Sequence, residues 1–132
     1  MKQKVIVVDD DPINNLLCTY NINKVIEDAD TKCFEEPSDA LKFISSEYVG
    51  EFSPPPTILF LDINMPEMDG WDFLNEYENI GHNIHQQIKI YIISSSINPK
   101  DRERANANNL VYGFYSKPLN KHILQEVFSL ED

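Results

Sequence analysis

The stretch "LFLDINMPEMDGWDFL", residues 59–74, carries an apolar run into a carboxylate, then into a loop containing Pro66, then into a second apolar pattern. With Thr57 and Ile58 in front, the run becomes "TILFL", short and without polar alternation, as a strand covered on both faces requires. Beyond the loop, Phe73, Leu74 and Tyr77 fall on one face of a helix opening near Asp69. The unit is strand, loop, helix, with Asp62 at the strand tip. A charge at the end of a buried element either meets water in a turn or does chemistry, because burying it unpaired is costly.

Working outward, strand-length apolar runs recur at "KVIVV" (4–8), "TKCF" (31–34), "IKIYII" (88–93) and "LVYGFY" (110–115). Helical signals separate them. Asp11 is placed to cap a helix with Pro12 in its first turn, and Ile13, Leu16, Leu17 and Tyr20 then recur at helical spacing. A second helix covers 37–47, with Ala40, Leu41 and Ile44 inward. Asn98 and Pro99 repeat the cap signal, and Asn120 caps the last helix, where Leu119 and Leu124 are spaced for a hydrophobic staple ahead of Val127 and Phe128. Five strands alternating with helices imply an α/β fold with a doubly wound parallel sheet, since right-handed crossovers place helices on both faces.

Two segments fall outside the alternation: the proline-rich "EYVGEFSPPPT" (47–57), read as an extended surface loop, and the polar connector "NIGHNIHQQ" (79–87). His82 and His85 in that connector read as solvated residues, and His122 as an exposed first-turn residue. The helix opening at Pro99, "PKDRERANANN", has almost no apolar stripe, so caps and charge pairs are expected to hold it, and it reads as the most mobile element.

The 132 residues make one domain's worth of chain, and a single domain over 1–132 without an effector domain is expected. A formal charge of −11 repels phosphate backbones and anionic lipid, which argues against direct nucleic-acid or membrane binding. The start, "MKQKVIVVDD", is unlike a secretory signal, and a cytoplasmic location is expected. Cys18 and Cys33 read as buried free thiols without a functional role.

In an open α/β sheet, ligands bind beyond the carboxyl ends of the strands. There the sequence places Asp9 and Asp10 after the first strand, Asp62 after the third, Ser94, Ser95 and Ser96 after the fourth, and Lys117 with Pro118 after the fifth. Any one of these alone is ordinarily a turn or surface residue; their joint arrival at one edge is what points to a site. Two carboxylates about 4 Å apart repel by roughly 4 kcal/mol at an effective dielectric of about 20, so three need more counter-charge than one lysine. An all-oxygen site with few protein ligands suits Mg²⁺ and, with it, a phosphoryl group.

"VIVVDDD", "LFLDINMPEMDGWDFL", "IISSS" and "GFYSKPL" together resemble the receiver domain of two-component response regulators, over essentially the whole chain. The resemblance implies a flavodoxin-like (βα)5 fold with strand order 2-1-3-4-5. It makes Asp62 the phosphoacceptor, and Asp9, Asp10, Asp62 and the backbone carbonyl of Asn64 the Mg²⁺ ligands. Lys117 would contact the phosphoryl oxygens, Ser94 and Phe114 would form the switch pair, and Ser95 would take the small position beside the phosphoryl group. Pro118 would follow a cis peptide aiming Lys117 inward, and Asn64 and Ser96 would tune hydrolysis. The implied protein is a stand-alone, cytoplasmic receiver in a phosphorelay, not a turnover enzyme. Its donor would be a sensor histidine kinase or histidine phosphotransfer protein. Its output face would combine the helix at Pro99, the last strand and the last helix.

Three rivals read less well. A phosphohydrolase of the haloacid dehalogenase type needs a second Asp where this chain has Asn64, which cannot transfer protons. A pseudo-receiver would lack one or more of Asp62, Lys117 and the acidic pair, and all are present. Neither "DDDPINN" nor "DINMPEMDG" has the alternating oxygen ligands and mid-loop glycine of an EF-hand.

Overall fold

The computed structural model describes residues 2–96 and 98–128. Strands β1 (Lys4–Val8), β2 (Asp30–Phe34), β3 (Thr57–Leu61), β4 (Ile88–Ser94) and β5 (Val111–Ser116) pair in parallel in the order β2-β1-β3-β4-β5. Helices α1 (Pro12–Val25), α2 (Pro37–Glu47), α3 (Gly70–Glu78), α5 (Pro99–Asn106) and α6 (Lys121–Val127) alternate with them, and a single-turn helix α4 (His82–His85) interrupts the connector before β4. The five-stranded parallel sheet and its doubly wound order are those expected.

Successive side chains in a strand point to opposite faces, and the core divides accordingly. Ile6, Val8, Leu59, Leu61, Ile90 and Ile92 pack under Ile44 of α2 and Phe73, Leu74 and Tyr77 of α3. Val5, Val7, Ile58, Phe60 and Ile93 pack under Cys18 and Ile22 of α1 and Leu124 and Val127 of α6. All five residues of β3 are buried, which accounts for the unbroken run "TILFL". The edge strand β2 has no buried residue and β5 has one, Phe114.

The caps form as the sequence indicates. Asp11, Asn98 and Asn120 accept hydrogen bonds from the first-turn amides of Ile13, Lys100 and Ile123. Asp69 and Asp72 complete a reciprocal capping box at α3. Leu119 and Leu124 are both buried, as a staple requires.

Three expectations need correction, and one face that the spacing left unassigned is settled by the fold. The stripe that marks α1 as a helix is not the face it buries: Ile13, Leu16, Leu17 and Tyr20 are 69, 73, 51 and 58% exposed, while Asn15, Cys18 and Ile22 face the sheet. Helical periodicity reveals a face, and only the position of β1 decides which face turns inward. Cys33 is exposed rather than buried, because β2 is an edge strand; Cys18 is buried, and burial pushes its thiol up to about 12. His85 is not simply solvated. Its Nε2 lies 2.7 Å from the Tyr77 carbonyl oxygen and its ring centroid 4.6 Å from that of Tyr77. Finally, no ion pair holds α5 among the described residues. Its arginines lie over aromatic rings, Arg102 at 4.8 Å from the Phe114 centroid and Arg104 at 4.5 Å from that of Trp71.

The proline-rich loop and the connector meet at the sheet end away from the strand tips. Gln87, buried, donates to the carbonyls of Tyr48 (2.9 Å) and Gly50 (3.1 Å), and Asn83 also reaches Gly50. A cavity of about 430 Å³ lies at this end and is lined by Lys4, Tyr48, Phe52, Thr57 and Gln87 among others. No helix among the described residues is long and apolar enough to cross a membrane.

Candidate functional site

Asp9, Asp62 and Lys117 each stand one step beyond a strand, and the parallel ladder continues through their backbones; Asp10 follows Asp9 directly. Asp9 N–H donates to the Phe34 carbonyl (3.0 Å), Asp62 N–H to that of Val8 (3.0 Å) and Lys117 N–H to that of Ser94 (2.9 Å). Main-chain bonds between neighbouring strands therefore fix where the side chains start, and a rigid sheet edge gives a precise constellation. The Lys117–Pro118 peptide is cis.

Carboxylate oxygens of Asp9, Asp10 and Asp62 lie within 4.8 Å of one another. Asp9 and Asp62 are 0 and 3% exposed, and Asp10 is the most solvent-accessible of the three. Lys117 reaches across to both buried partners, with Nζ 2.7 Å from Asp9 Oδ2 and 3.3 Å from Asp62 Oδ1. Burial first, then the Asp9 carboxylate, push Asp62 up to about 6 against the pull of Lys117. Burial also works against the Lys117 charge, but its hydrogen bond to Asp9 and the charges of Asp62 and Asp9 outweigh it and raise the ammonium's pKa. One cation thus fails to balance the cluster. The donor set is all oxygen, and the excess negative charge is what a divalent cation would neutralise.

Three residues that hold the site were not singled out from the sequence. Asn14 donates through Nδ2 to Asp9 Oδ2 at 2.7 Å, and Asn15 through Nδ2 to the Asp9 carbonyl at 2.9 Å. With Asp11 N–H donating to Asp9 Oδ1 at 2.9 Å, the first turns of α1 grip Asp9 from three directions. The available signal was a pair of asparagines inside a helix, where they are poor helix formers and do not cap. The third is Gly70, where a Cβ would come within 2.6 Å of the Asp62 carbonyl oxygen and 2.9 Å of Ile63 Cα. Its N–H donates to the Ile63 carbonyl at 2.8 Å, which draws the start of α3 onto the strand tip. The "DG" pair at 69–70 was the visible trace.

The remaining candidates are spread around this centre. Ser94 is fully buried, and its Oγ accepts from Ser96 N–H at 3.0 Å. Ser95 is exposed on the loop, and Ser96 Oγ donates to Asp101 Oδ2 at 2.6 Å, which ties that loop to α5. Phe114 is buried opposite Ile92 in the β4–β5 register, with Ser94 paired to Ser116 two steps on. Asn64 is exposed on the loop after Asp62, between buried Ile63 and Met65. His82, His85 and His122 lie outside this cluster.

The comparisons agree with this geometry. A two-component response regulator from Cytophaga hutchinsonii is 26% identical, with a TM-score of 0.87 over 98% of this chain and 96% of that one. A response regulator receiver protein from Dyadobacter fermentans is 24% identical, with a TM-score of 0.85 over 96 and 95%. A chemotaxis response regulator of Vibrio cholerae shares the fold at 17% identity, with a TM-score of 0.74 over 98% of each chain. No curated protein matches. Residues 5–129 match the response regulator receiver domain family, and the chain belongs to that family.

Proposed function

We propose that this chain is a Mg²⁺-dependent phosphoacceptor of a two-component phosphorelay, with Asp62 as the residue that takes the phosphoryl group. The observation that carries the reading is the buried Asp62 carboxylate, which shares the Lys117 ammonium with Asp9 and lies within 4.8 Å of both other acids. A carboxylate oxygen of Asp62 attacks phosphorus, the P–N bond of a phosphohistidine breaks, and the imidazole nitrogen keeps the bonding pair. An acyl phosphate results. Such a transfer depends on positioning and on neutralising the phosphoryl oxygens. Mg²⁺, held by Asp9, Asp10, Asp62 and the Asn64 carbonyl, would supply that neutralisation together with Lys117. Asn14 and Asn15 keep Asp9 in place, and Gly70 lets the start of α3 pack directly against the backbone of Asp62 and Ile63.

The donor, a sensor histidine kinase or histidine phosphotransfer protein, would dock on the outer face of α1. Ile13, Leu16, Leu17 and Tyr20 expose an apolar patch that begins two residues after the Asp11 cap and so rims the acid cluster. Exposed contiguous apolar surface of this kind marks an interaction site.

Once the phosphoryl group is in place, its new charge and acceptor oxygens favour a Ser94 hydroxyl turned towards it, with Ser95 small enough to leave room. The space vacated would let Phe114 change rotamer, and the face of α5, β5 and α6 would report the change to a downstream protein. Intact mass after incubation with acetyl phosphate and Mg²⁺ tests the acceptor. The parent should gain one phosphoryl group and Asp62→Asn none; labelling of Asp62→Asn to the parental level would refute the assignment.

A further inference from the structure

The arginines of α5 have a role beyond the phosphoacceptor chemistry. The only side chain this helix buries is Ala105, whereas α3 buries Trp71, Phe73, Leu74 and Tyr77. Some other force docks it. The chain has 22 acidic residues, and Asp101 lies three positions before Arg104 on the helix, a spacing that allows an ion pair. Among the described residues neither Arg102 nor Arg104 pairs with a carboxylate. Both guanidinium groups lie over rings, Arg102 at 4.8 Å from Phe114 and Arg104 at 4.5 Å from Trp71. Arg102 Nη1 also donates to the Phe114 carbonyl at 3.5 Å. Residues two apart in a helix project to different flanks. The helix is therefore clamped on one side to β5 and on the other to α3.

Both platforms adjoin the site. Trp71 follows Gly70, whose backbone abuts the Asp62 carbonyl, and Phe114 lies in register with Ile92, two residues before Ser94. We propose that Arg102 and Arg104 are positioning residues that dock α5 through guanidinium–aromatic stacking, so that the helix loosens when Phe114 leaves its present seat. The loosening rests on the switch described under Proposed function; the clamp itself does not.

Amide hydrogen exchange across α5 tests both parts, with phosphoryl occupancy measured separately by intact mass. In the unphosphorylated protein, Arg102→Ala should speed α5 exchange by about two- to fivefold, the range expected for losing a solvent-accessible stack. Alanine is the better helix former, so intrinsic propensity pulls the other way and cannot produce the increase. Arg102→Lys, which keeps a cation over the ring, should restore most of the protection. Arg104→Ala should shift the emission of Trp71, the only tryptophan. Acetyl phosphate with Mg²⁺ should speed α5 exchange in the parent and add little in Arg102→Ala at equal occupancy. Unchanged exchange in unphosphorylated Arg102→Ala would overturn the clamp. A phosphorylation increment as large in Arg102→Ala as in the parent would overturn the coupling. A parent that takes no phosphoryl group would instead remove the acceptor reading and the coupling with it, while the unphosphorylated comparison still decides the clamp.

Discussion

Gly70 stands so close to Asp62 that a methyl group on its α-carbon would lie 2.6 Å from the Asp62 carbonyl oxygen. The neighbour is backbone at the end of a buried strand, which cannot rotate away as a side chain could. Gly70→Ala should therefore cost about 1–3 kcal/mol in urea unfolding, the usual penalty of overpacking, despite alanine's better helix propensity. Mg²⁺ affinity should fall with it, because α3 can relieve the clash only by moving the 62–70 loop.

The position of Asp62 between burial and Asp9 makes stability depend on pH in a particular direction. Its carboxyl is raised from 3.8 to about 6 in the folded protein. Between those values the native state holds a proton that the unfolded chain has released, so stability falls as pH rises through 6. A shift of that size corresponds to at most about 3 kcal/mol. In chelator, the parent should be more stable at pH 5 than at pH 7.5 relative to Asp62→Asn, measured by urea unfolding at both. An equal difference at the two pH values would contradict the strained carboxylate.

Mg²⁺ should stabilise the protein at neutral pH, by about 2.7 kcal/mol when present at a hundred times its dissociation constant. It should also change Trp71 emission, since that ring follows Gly70 directly and is held by Arg104. A flat fluorescence titration through the millimolar range, with no rise in melting temperature, would count against the metal site.

Leu16 is 73% exposed, so Leu16→Arg should leave stability within about 0.5 kcal/mol of the parent. Labelling by acetyl phosphate should likewise be unchanged. Transfer from a phosphohistidine protein should slow about tenfold if α1 is the docking face, as expected for an apolar contact at the centre of an interface. Equal rates from both donors in parent and variant would move the docking face elsewhere.

Much of this protein is written locally. The caps at Asp11, Asn98 and Asn120, the unbroken apolar run of β3 and the placing of acids at strand ends depend on residues a few positions apart, so the sequence alone determined the alternation, the parallel sheet and the edge where Asp9, Asp10, Asp62 and Lys117 meet. What it left open depends on neighbours distant in the chain. Which face of α1 turns inward was decided by where β1 lies. The exposure of Cys33 was decided by β2 being an edge, and the stacking of His85 by the end of α3. The tie between Gln87 and Gly50, the approach of Gly70 to Asp62, and the choice of rings over carboxylates by Arg102 and Arg104 also required the assembled fold. Periodicity states that an element has two faces, and only packing against the rest of the molecule gives each face a partner.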